Sequence, residues 1–183
     1  TQVATQPLPG ANVVVNAEGA RSVGFEADFT ANLSERLRMG GALGYADAEI
    51  VADTISATGV IPEGSPLAHA PLWSGSTFIE YAHPLSTGDE LRLRVDARYT
   101  GERQNSVDVV GQPGTPLDDY TIVNALAAYQ ADAWSLNFYV NNLTNELAEL
   151  NALMFGDPLI GDVVAGYVRN RPRTAGVQLR VEF

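Results

Sequence analysis

The side chains that could carry chemistry in this 183-residue chain are arginines and carboxylates. All eleven basic residues are arginine, and five of them alternate with other residue types: Arg36, Arg38, Arg92, Arg94 and Arg98. Alternation places them on one face of an extended strand, where a row of guanidinium groups could guide an anionic ligand. The same pattern supplies acids that would neutralise them: Glu26, Asp28, Asp96 and Glu182. We therefore predict ion pairs along this face rather than a binding site.

No residue pattern typical of catalysis or metal binding occurs in the sequence. The two histidines, His69 and His83, are isolated, cysteine is absent, and no phosphate-binding loop, nucleophile elbow or calcium-loop spacing is found. We predict that the protein is not an enzyme and that it has no cofactor and no metal site. The formal net charge of -11 argues against nucleic acid as a partner, because phosphate contacts need clustered basic side chains.

The connecting segment 146–170 is unusually apolar for a loop. Its candidate ligand-binding residues are Leu153, Met154, Phe155, Leu159 and Ile160. Exposed apolar side chains of this kind can line a mouth where a small molecule is caught, or they can pack on neighbouring loops. The sequence leaves both interpretations open.

Most of the chain alternates between apolar and polar residues with the two-residue period of a β-strand. The segment 90–101 is the strongest case, with Leu93, Val95 and Tyr99 on one face and arginines on the other. The pattern predicts about eight strands, near 11–16, 21–33, 36–45, 72–81, 90–101, 120–129, 134–140 and 177–183. Short and long connections alternate between them, except at 17–20, which is typical of an up-and-down antiparallel meander with one plain end and one elaborated end.

Aromatic residues mark both ends of these strands. An up-and-down order places three of them at the end with long loops, namely Tyr45, Trp73 and Tyr99. It places four at the end with short turns, namely Tyr81, Tyr129, Trp134 and Phe183. Each shares the apolar face of its strand, and two aromatic belts around an apolar band are typical of a transmembrane β-barrel. We therefore predict an all-β, antiparallel transmembrane barrel, in preference to a soluble β-sandwich binding module.

Three segments, in the same order along the chain, resemble the TonB-dependent outer-membrane receptors. The ending RPRTAGVQLRVEF resembles the closing barrel strand of that family, with Arg173 and Thr174 before alternating apolar residues and a final Phe183. The segments NAEGARSVGFEADF and FYVNNLTNE resemble two further motifs. Their matching residues are Asn16, Ala17, Gly19, Ala20, Gly24 and Glu26, and then Val140, Asn142, Leu143, Thr144 and Asn145.

The resemblance implies the C-terminal part of a barrel of about 22 strands. We expect residues 1–183 to be such a barrel segment, with the plug domain absent. The implied function is TonB-dependent uptake of a nutrient such as a ferric siderophore across the cell outer membrane of a Gram-negative bacterium. The implied partners are membrane lipid and lipopolysaccharide, the rest of the barrel and its plug, TonB indirectly, and a small nutrient ligand. The alternative is a small closed eight-stranded outer-membrane barrel with a structural or adhesive role.

Overall fold

The computed structural model describes residues 2–8, 11–56, 59–156 and 163–182, and for 2–8, 11–15, 154–156 and 163–165 the description covers the strand backbone alone. The described part of the chain is all β. It contains no helix that is long and apolar enough to cross a membrane.

Fifteen strands are present in the described residues. They are β1 (Gln2–Leu8), β2 (Ala11–Asn16), β3 (Ala20–Asn32), β4 (Leu37–Ile50), β5 (Thr54–Ser56), β6 (Gly59–Ile61), β7 (Trp73–Pro84), β8 (Glu90–Thr100), β9 (Arg103–Gln104), β10 (Pro116–Leu117), β11 (Tyr120–Gln130), β12 (Trp134–Asn141), β13 (Glu149–Gly156), β14 (Val163–Arg169) and β15 (Thr174–Val181).

Seven of the strands form one antiparallel sheet in the order β3, β4, β7, β8, β11, β12 and β15. Long strands that are consecutive in the chain pair with each other, which confirms the predicted up-and-down antiparallel topology. The sheet is open, with β3 and β15 at its edges. The described strands therefore form part of a barrel wall. They do not form the closed eight-stranded barrel that was the alternative prediction.

The predicted strand at 11–16 exists but does not belong to this sheet. As β2 it pairs with β1 in a separate two-stranded ladder, so the sheet has seven strands rather than about eight. This finding also explains the short connection at 17–20 that breaks the alternation of loop lengths. Because Ala20 pairs with Ile50, β3 begins at the long-loop end of the sheet, and the chain reaches it directly from the β1–β2 ladder.

The two faces of the sheet have the compositions that the alternation predicts. One row across the apolar face consists of Ala31, Met39, Ile79, Val95, Ala125, Val140 and Ala175. The adjacent row on the polar face consists of Asn32, Arg38, Glu80, Arg94, Leu126, Tyr139 and Gly176. Large apolar side chains of the first face stay exposed, for example Val177 at 60% and Leu179 at 62%. A sandwich would bury them against a second sheet, which the described strands do not provide.

Aromatic side chains cluster on the apolar face at both ends of the sheet. At the long-loop end the ring centroids of Phe25 and Tyr45 lie 5.8 Å apart, and those of Tyr45 and Trp73 lie 4.9 Å apart. At the short-turn end Tyr129 stacks on Trp134 at 5.2 Å. Four of the seven predicted belt residues lie in these ring clusters, namely Tyr45, Trp73, Tyr129 and Trp134. Phe183 lies outside the described residues.

The buried apolar core lies among the connections at the long-loop end of the sheet and includes the last residue of β4. Ala17, Ile50, Ile61, Val107 and Val109 pack together and are almost fully buried. The connections contain small ladders, β5 with β6, β9 with β10, and β13 with β14, where the sequence predicted loops alone. We call the described residues of the segments 51–72, 101–119 and 142–173 the loop layer, because they pack together at one end of the sheet.

Candidate functional site

On the polar face, Arg92 and Arg94 form ion pairs with nearby acids, and Arg94 also lies over an aromatic ring. Arg94 forms ion pairs with Glu80 at 3.4 Å and with Asp96 at 3.7 Å, and its guanidinium lies 4.2 Å from the ring centroid of Phe78. Arg92 pairs with Glu90 at 2.7 Å. Neighbouring strands bring these groups together because the register places Glu80 opposite Arg94. The predicted ion pairing is confirmed for Arg94 and Asp96.

Other acids that were expected to pair do so differently. Glu182 pairs with Arg180 at 3.5 Å rather than with one of the five arginines named from the sequence. Glu26, Asp28 and Arg98 take part in no ion pair within the described ranges. These three residues line a groove of about 610 Å³ whose floor includes small residues such as Ala42, Gly44, Ser74 and Ser76.

The two histidines lie at opposite ends of the sheet, as predicted. His83 lies near the short-turn end of β7, and the Nη1 atom of Arg36 is 3.4 Å from its Nδ1 atom. His69 precedes β7 in the loop layer and donates its backbone N–H to the carbonyl of Gln104 at 2.7 Å. Burial lowers the pKa of His69 below its ordinary value, and the positive charge of Arg103 lowers this pKa further, so His69 is neutral at pH 7. No group of three or more metal-ligating side chains occurs among the residues that the structure describes.

The base of the β13–β14 hairpin is held by Asn142, which is 4% exposed and has a left-handed φ of 54°. Its Nδ2 group donates to the carbonyls of Glu146, at 2.9 Å, and Arg171, at 3.0 Å. Its Oδ1 atom accepts from the backbone N–H of Glu146 at 2.8 Å. Asparagine tolerates the left-handed region and can bond nearby backbone groups at the same time. The motif residue therefore joins the two chain segments that enter and leave the hairpin.

A hydrogen bond to a residue of the sheet positions Asn142 itself. Its backbone N–H donates to the Oδ1 atom of Asn124 at 3.1 Å, and the Nδ2 group of Asn124 donates to Asp96 at 2.9 Å. Farther along the loop layer, Asn145 accepts from the backbone N–H of Arg173 at 2.9 Å. A chain of polar contacts thus runs from the arginine cluster on the polar face to the hairpin base.

The hairpin itself combines buried alanines with exposed larger side chains. Ala148 and Ala152 are almost fully buried, whereas Leu150 and Leu153 are each 38% exposed. On the partner strand β14, Tyr167 is exposed as well. The alanines of this segment therefore pack in the loop layer, and the two leucines are exposed.

Of the five residues named as candidates for ligand contact, the structure places one side chain, that of Leu153. It lies on β13 opposite Gly166. Met154 and Phe155 are described only as backbone of β13, where they pair with Ala165 and Val164. Leu159 and Ile160 lie outside the described residues. The ligand-binding role of this set stays a prediction.

Two residues that position the hairpin were missed by sequence analysis. Arg103 donates through Nη2 to the carbonyl of Glu149 at 2.6 Å, and Asn105 makes two hydrogen bonds to the backbone of Ala152. These contacts join residues that are 46 and 47 positions apart. Only the polar character of Arg103 and Asn105 was visible in the sequence, and it does not indicate which distant backbone they bond.

A family model described as TonB-dependent receptor-like, beta-barrel, matches residues 1–143 of the chain. The chain belongs to the TonB-dependent receptor β-barrel family. The match covers the sheet from β3 through β12 and most of the loop layer. The resemblance predicted from the three motifs is therefore confirmed.

Two curated relatives within this family are named as metal-pseudopaline receptors. They are CntO of Pseudomonas aeruginosa strains PAO1 and UCBPP-PA14, and each is 36% identical to this chain over 127 residues. The alignments cover 68% of this chain and 16% of each relative. The chain thus spans about a sixth of the length of the relatives it matches.

The structure also resembles the crystal structure of the siderophore receptor PiuA from Acinetobacter baumannii, with a TM-score of 0.63 and 16% sequence identity. The superposition covers 87% of this chain and 21% of that one, and it establishes a shared fold. The family and both kinds of relative are receptors rather than enzymes, which agrees with the prediction that the chain is not an enzyme.

Proposed function

We propose that this chain forms the C-terminal barrel wall and part of the loop layer of a TonB-dependent receptor that takes up a small metal chelate of the siderophore type. The family match over residues 1–143 carries this proposal. The relatives, a metal-pseudopaline receptor and a siderophore receptor, support a metal chelate as the ligand class. The remaining strands, the plug and the contact with TonB would come from the rest of such a receptor.

The surface of the sheet supports a location in the Gram-negative outer membrane. A band of exposed apolar side chains lies between the cluster around Tyr45 and Trp73 and the cluster of Tyr129 with Trp134. Amphipathic rings favour the membrane–water interface, and the apolar band fits the hydrocarbon between the two interfaces. Lipid and lipopolysaccharide would therefore contact the apolar face, and the polar face would line the lumen.

The β13–β14 hairpin supports a place for ligand contact at the long-loop end. It carries exposed apolar side chains, among them Leu153, on a base that is anchored by Asn142. An anchored hairpin with outward apolar groups suits a ligand because little order has to be gained on binding. We propose that Leu153, with Met154, Phe155, Leu159 and Ile160, forms one side of the mouth.

The experiment tests uptake and ligand contact in the full-length receptor. A strain that lacks the receptor gene is complemented with the wild-type receptor or with a variant in which 154–164 is replaced by a short Gly-Ser linker. Energised uptake of radiolabelled metal is measured with zinc–pseudopaline and with a ferric hydroxamate chelate. We expect uptake of one of these chelates by the wild type, loss of that uptake without functional TonB, and at least tenfold weaker chelate binding by the hairpin variant.

A matched control separates ligand contact from general exposure of apolar groups. Val110 is 67% exposed in another part of the loop layer, and Val110→Ser should leave chelate binding unchanged. Wild-type affinity in a correctly inserted hairpin variant would contradict the binding role of the hairpin. Absence of TonB-dependent uptake for both chelates would contradict the proposed ligand class.

A further inference from the structure

The side chain of Asn105 pairs with the backbone of Ala152 in the same way that a neighbouring strand would. Its Nδ2 group donates to the carbonyl of Ala152 at 2.7 Å, and its Oδ1 atom accepts from the N–H of Ala152 at 2.9 Å. The carboxamide thus satisfies both backbone groups of one residue. A primary amide has the donor and the acceptor side by side that this requires.

Asn105 belongs to a part of the loop layer that is itself ordered. Its backbone N–H donates to the carbonyl of Thr115 at 2.8 Å, next to the β9–β10 ladder. Ala152, on the other side, is 1% exposed. The paired hydrogen bonds therefore lie in a partly buried contact with a buried backbone segment, where the loss of one partner is costly because water replaces it only in part.

Arg103 makes a second connection between the same two segments. It donates through Nη2 to the carbonyl of Glu149 at 2.6 Å and through Nη1 to that of Asp118 at 3.4 Å. Its guanidinium lies 5.3 Å from the ring centroid of Tyr120. One arginine thereby joins the first residue of β13 to the start of the long strand β11.

We propose that Asn105, with Arg103 beside it, is the positioning residue that fixes the β13–β14 hairpin to the β9–β10 segment, so that these two parts of the loop layer move as one unit. Asn142 holds the base of the hairpin, whereas Asn105 bonds a residue within β13 from 47 positions away. The consequence for ligand binding rests on the proposed function, because it assumes that the hairpin contacts the chelate. Asn105 itself touches no ligand in this proposal.

The chemistry of the contact supplies a conservative variant. In Asn105→Asp the size of the side chain is kept, but an oxygen replaces the Nδ2 donor and faces the carbonyl of Ala152. That arrangement places two acceptors against each other, whereas Asn105→Ala removes both bonds. Gln112 is an exposed residue of the same connection, and Gln112→Ala provides the matched control.

Hydrogen exchange measured by mass spectrometry on the full-length receptor in detergent tests the proposal without a ligand. Peptides that cover 149–153 should exchange about tenfold faster in Asn105→Asp and in Asn105→Ala than in the wild type. Peptides from β3 and β4 serve as the internal standard and should be unchanged, as should every peptide in Gln112→Ala. Chelate binding is measured on the same samples with zinc–pseudopaline and a ferric hydroxamate chelate.

The outcomes distinguish the positioning role of Asn105 from the ligand role of the hairpin. Faster exchange confined to 149–153, with weaker chelate binding, supports both the positioning role and the ligand role of the hairpin. The same exchange result with no chelate bound even by the wild type supports the positioning role and contradicts the proposed ligand class. Unchanged exchange in both Asn105 variants overturns the positioning role, and so does an equal acceleration in β3 and β4, because Asn105 would then be a general stability element.

Discussion

Asn142 and Arg171, which are 29 positions apart, are joined by a hydrogen bond of 3.0 Å from the Nδ2 group of Asn142 to the backbone carbonyl of Arg171. The bond closes the base of the β13–β14 hairpin at the point where the chain leaves β12. Two asparagines of the segment FYVNNLTNE, Asn142 and Asn145, therefore have a structural role, since Asn145 likewise accepts from the backbone of Arg173. Their position at the long-loop end makes them supports of the region proposed to meet the ligand.

Replacing Asn142 by alanine should destabilise the receptor by about 2–3 kcal/mol, because three backbone groups lose a buried partner and alanine does not favour a positive φ. The free energy of unfolding is obtained from urea titration of the receptor in detergent micelles, followed by tryptophan fluorescence. The neighbouring Asn141 is exposed, and Asn141→Ala should cost less than about 0.5 kcal/mol. Equal losses for the two variants would contradict the role assigned to Asn142.

Replacing Gly176 by alanine should cost about 1–3 kcal/mol through overpacking. Gly176 pairs with Tyr139 across β15 and β12, and a Cβ atom at this position would overlap the tyrosine ring. The effect should nearly vanish in a Tyr139→Ala background, where the ring is absent. A double-mutant cycle on unfolding free energies measures this coupling, and strictly additive costs would show that the ring does not cover the glycine.

Asp89 should make the stability of the receptor depend on pH at the short-turn end. The hydroxyl of Tyr129 donates to the carboxylate of Asp89 and is the main reason that the pKa of Asp89 lies below its ordinary value of 3.8. The hydroxyl of Thr87 donates to the same carboxylate at 2.7 Å and lowers this pKa further. The pKa in the folded state is thus below that in the unfolded state, so the carboxylate stabilises the fold above pH 3.8 and this contribution is lost as the pH falls through the folded pKa.

The variant Asp89→Asn should therefore be less stable than the wild type at pH 7, and the difference should shrink below pH 3.8. Unfolding midpoints in urea, measured for both proteins from about pH 7 to about pH 2.5, test this dependence. A difference that is constant over the whole range would show that the carboxylate charge is not involved.

An arginine on the apolar face should be costly, whereas one on the polar face should not be. Val95 lies in the middle of β8 with its side chain exposed, and Val95→Arg should destabilise the membrane-inserted receptor by about 2–4 kcal/mol. Asn137 lies on the polar face of β12, and Asn137→Arg is the matched control. Unfolding in lipid bilayers by guanidinium chloride gives both values, and similar losses would contradict the assignment of the faces.

The strands of the sheet could be predicted because each of them carries its own alternation. In β8, Leu93 and Val95 alternate with Arg92 and Arg94, and a strand with one apolar face needs no distant information to be recognised. The segment 11–16 shows the limit of this reasoning. Its apolar run predicts a strand, but its partner is decided by tertiary contacts, and the strand pairs with β1 instead of the sheet.

The loop layer could not be predicted in the same way. Ile50, Ile61, Val107 and Val109 form a buried core from segments with no shared periodicity. Gly24 is a case where a motif residue has a clear structural reason only in three dimensions, since a Cβ atom there would overlap the carbonyl of Tyr45 on β4. Likewise, nothing in the sequence near Asn105 indicates Ala152 as its partner, because hydrogen bonds of this kind leave no local pattern.

Spin labels test most directly whether the apolar face of the sheet points toward the hydrocarbon of the membrane. The chain contains no cysteine, so single cysteines can be introduced at Leu93, Val95, Arg92 and Arg94 and labelled in the receptor reconstituted in lipid bilayers. Power-saturation measurements then compare contact with oxygen, which dissolves in hydrocarbon, and with a water-soluble nickel chelate. We expect high oxygen contact at positions 93 and 95 and low oxygen contact at positions 92 and 94. The reverse pattern would contradict this orientation.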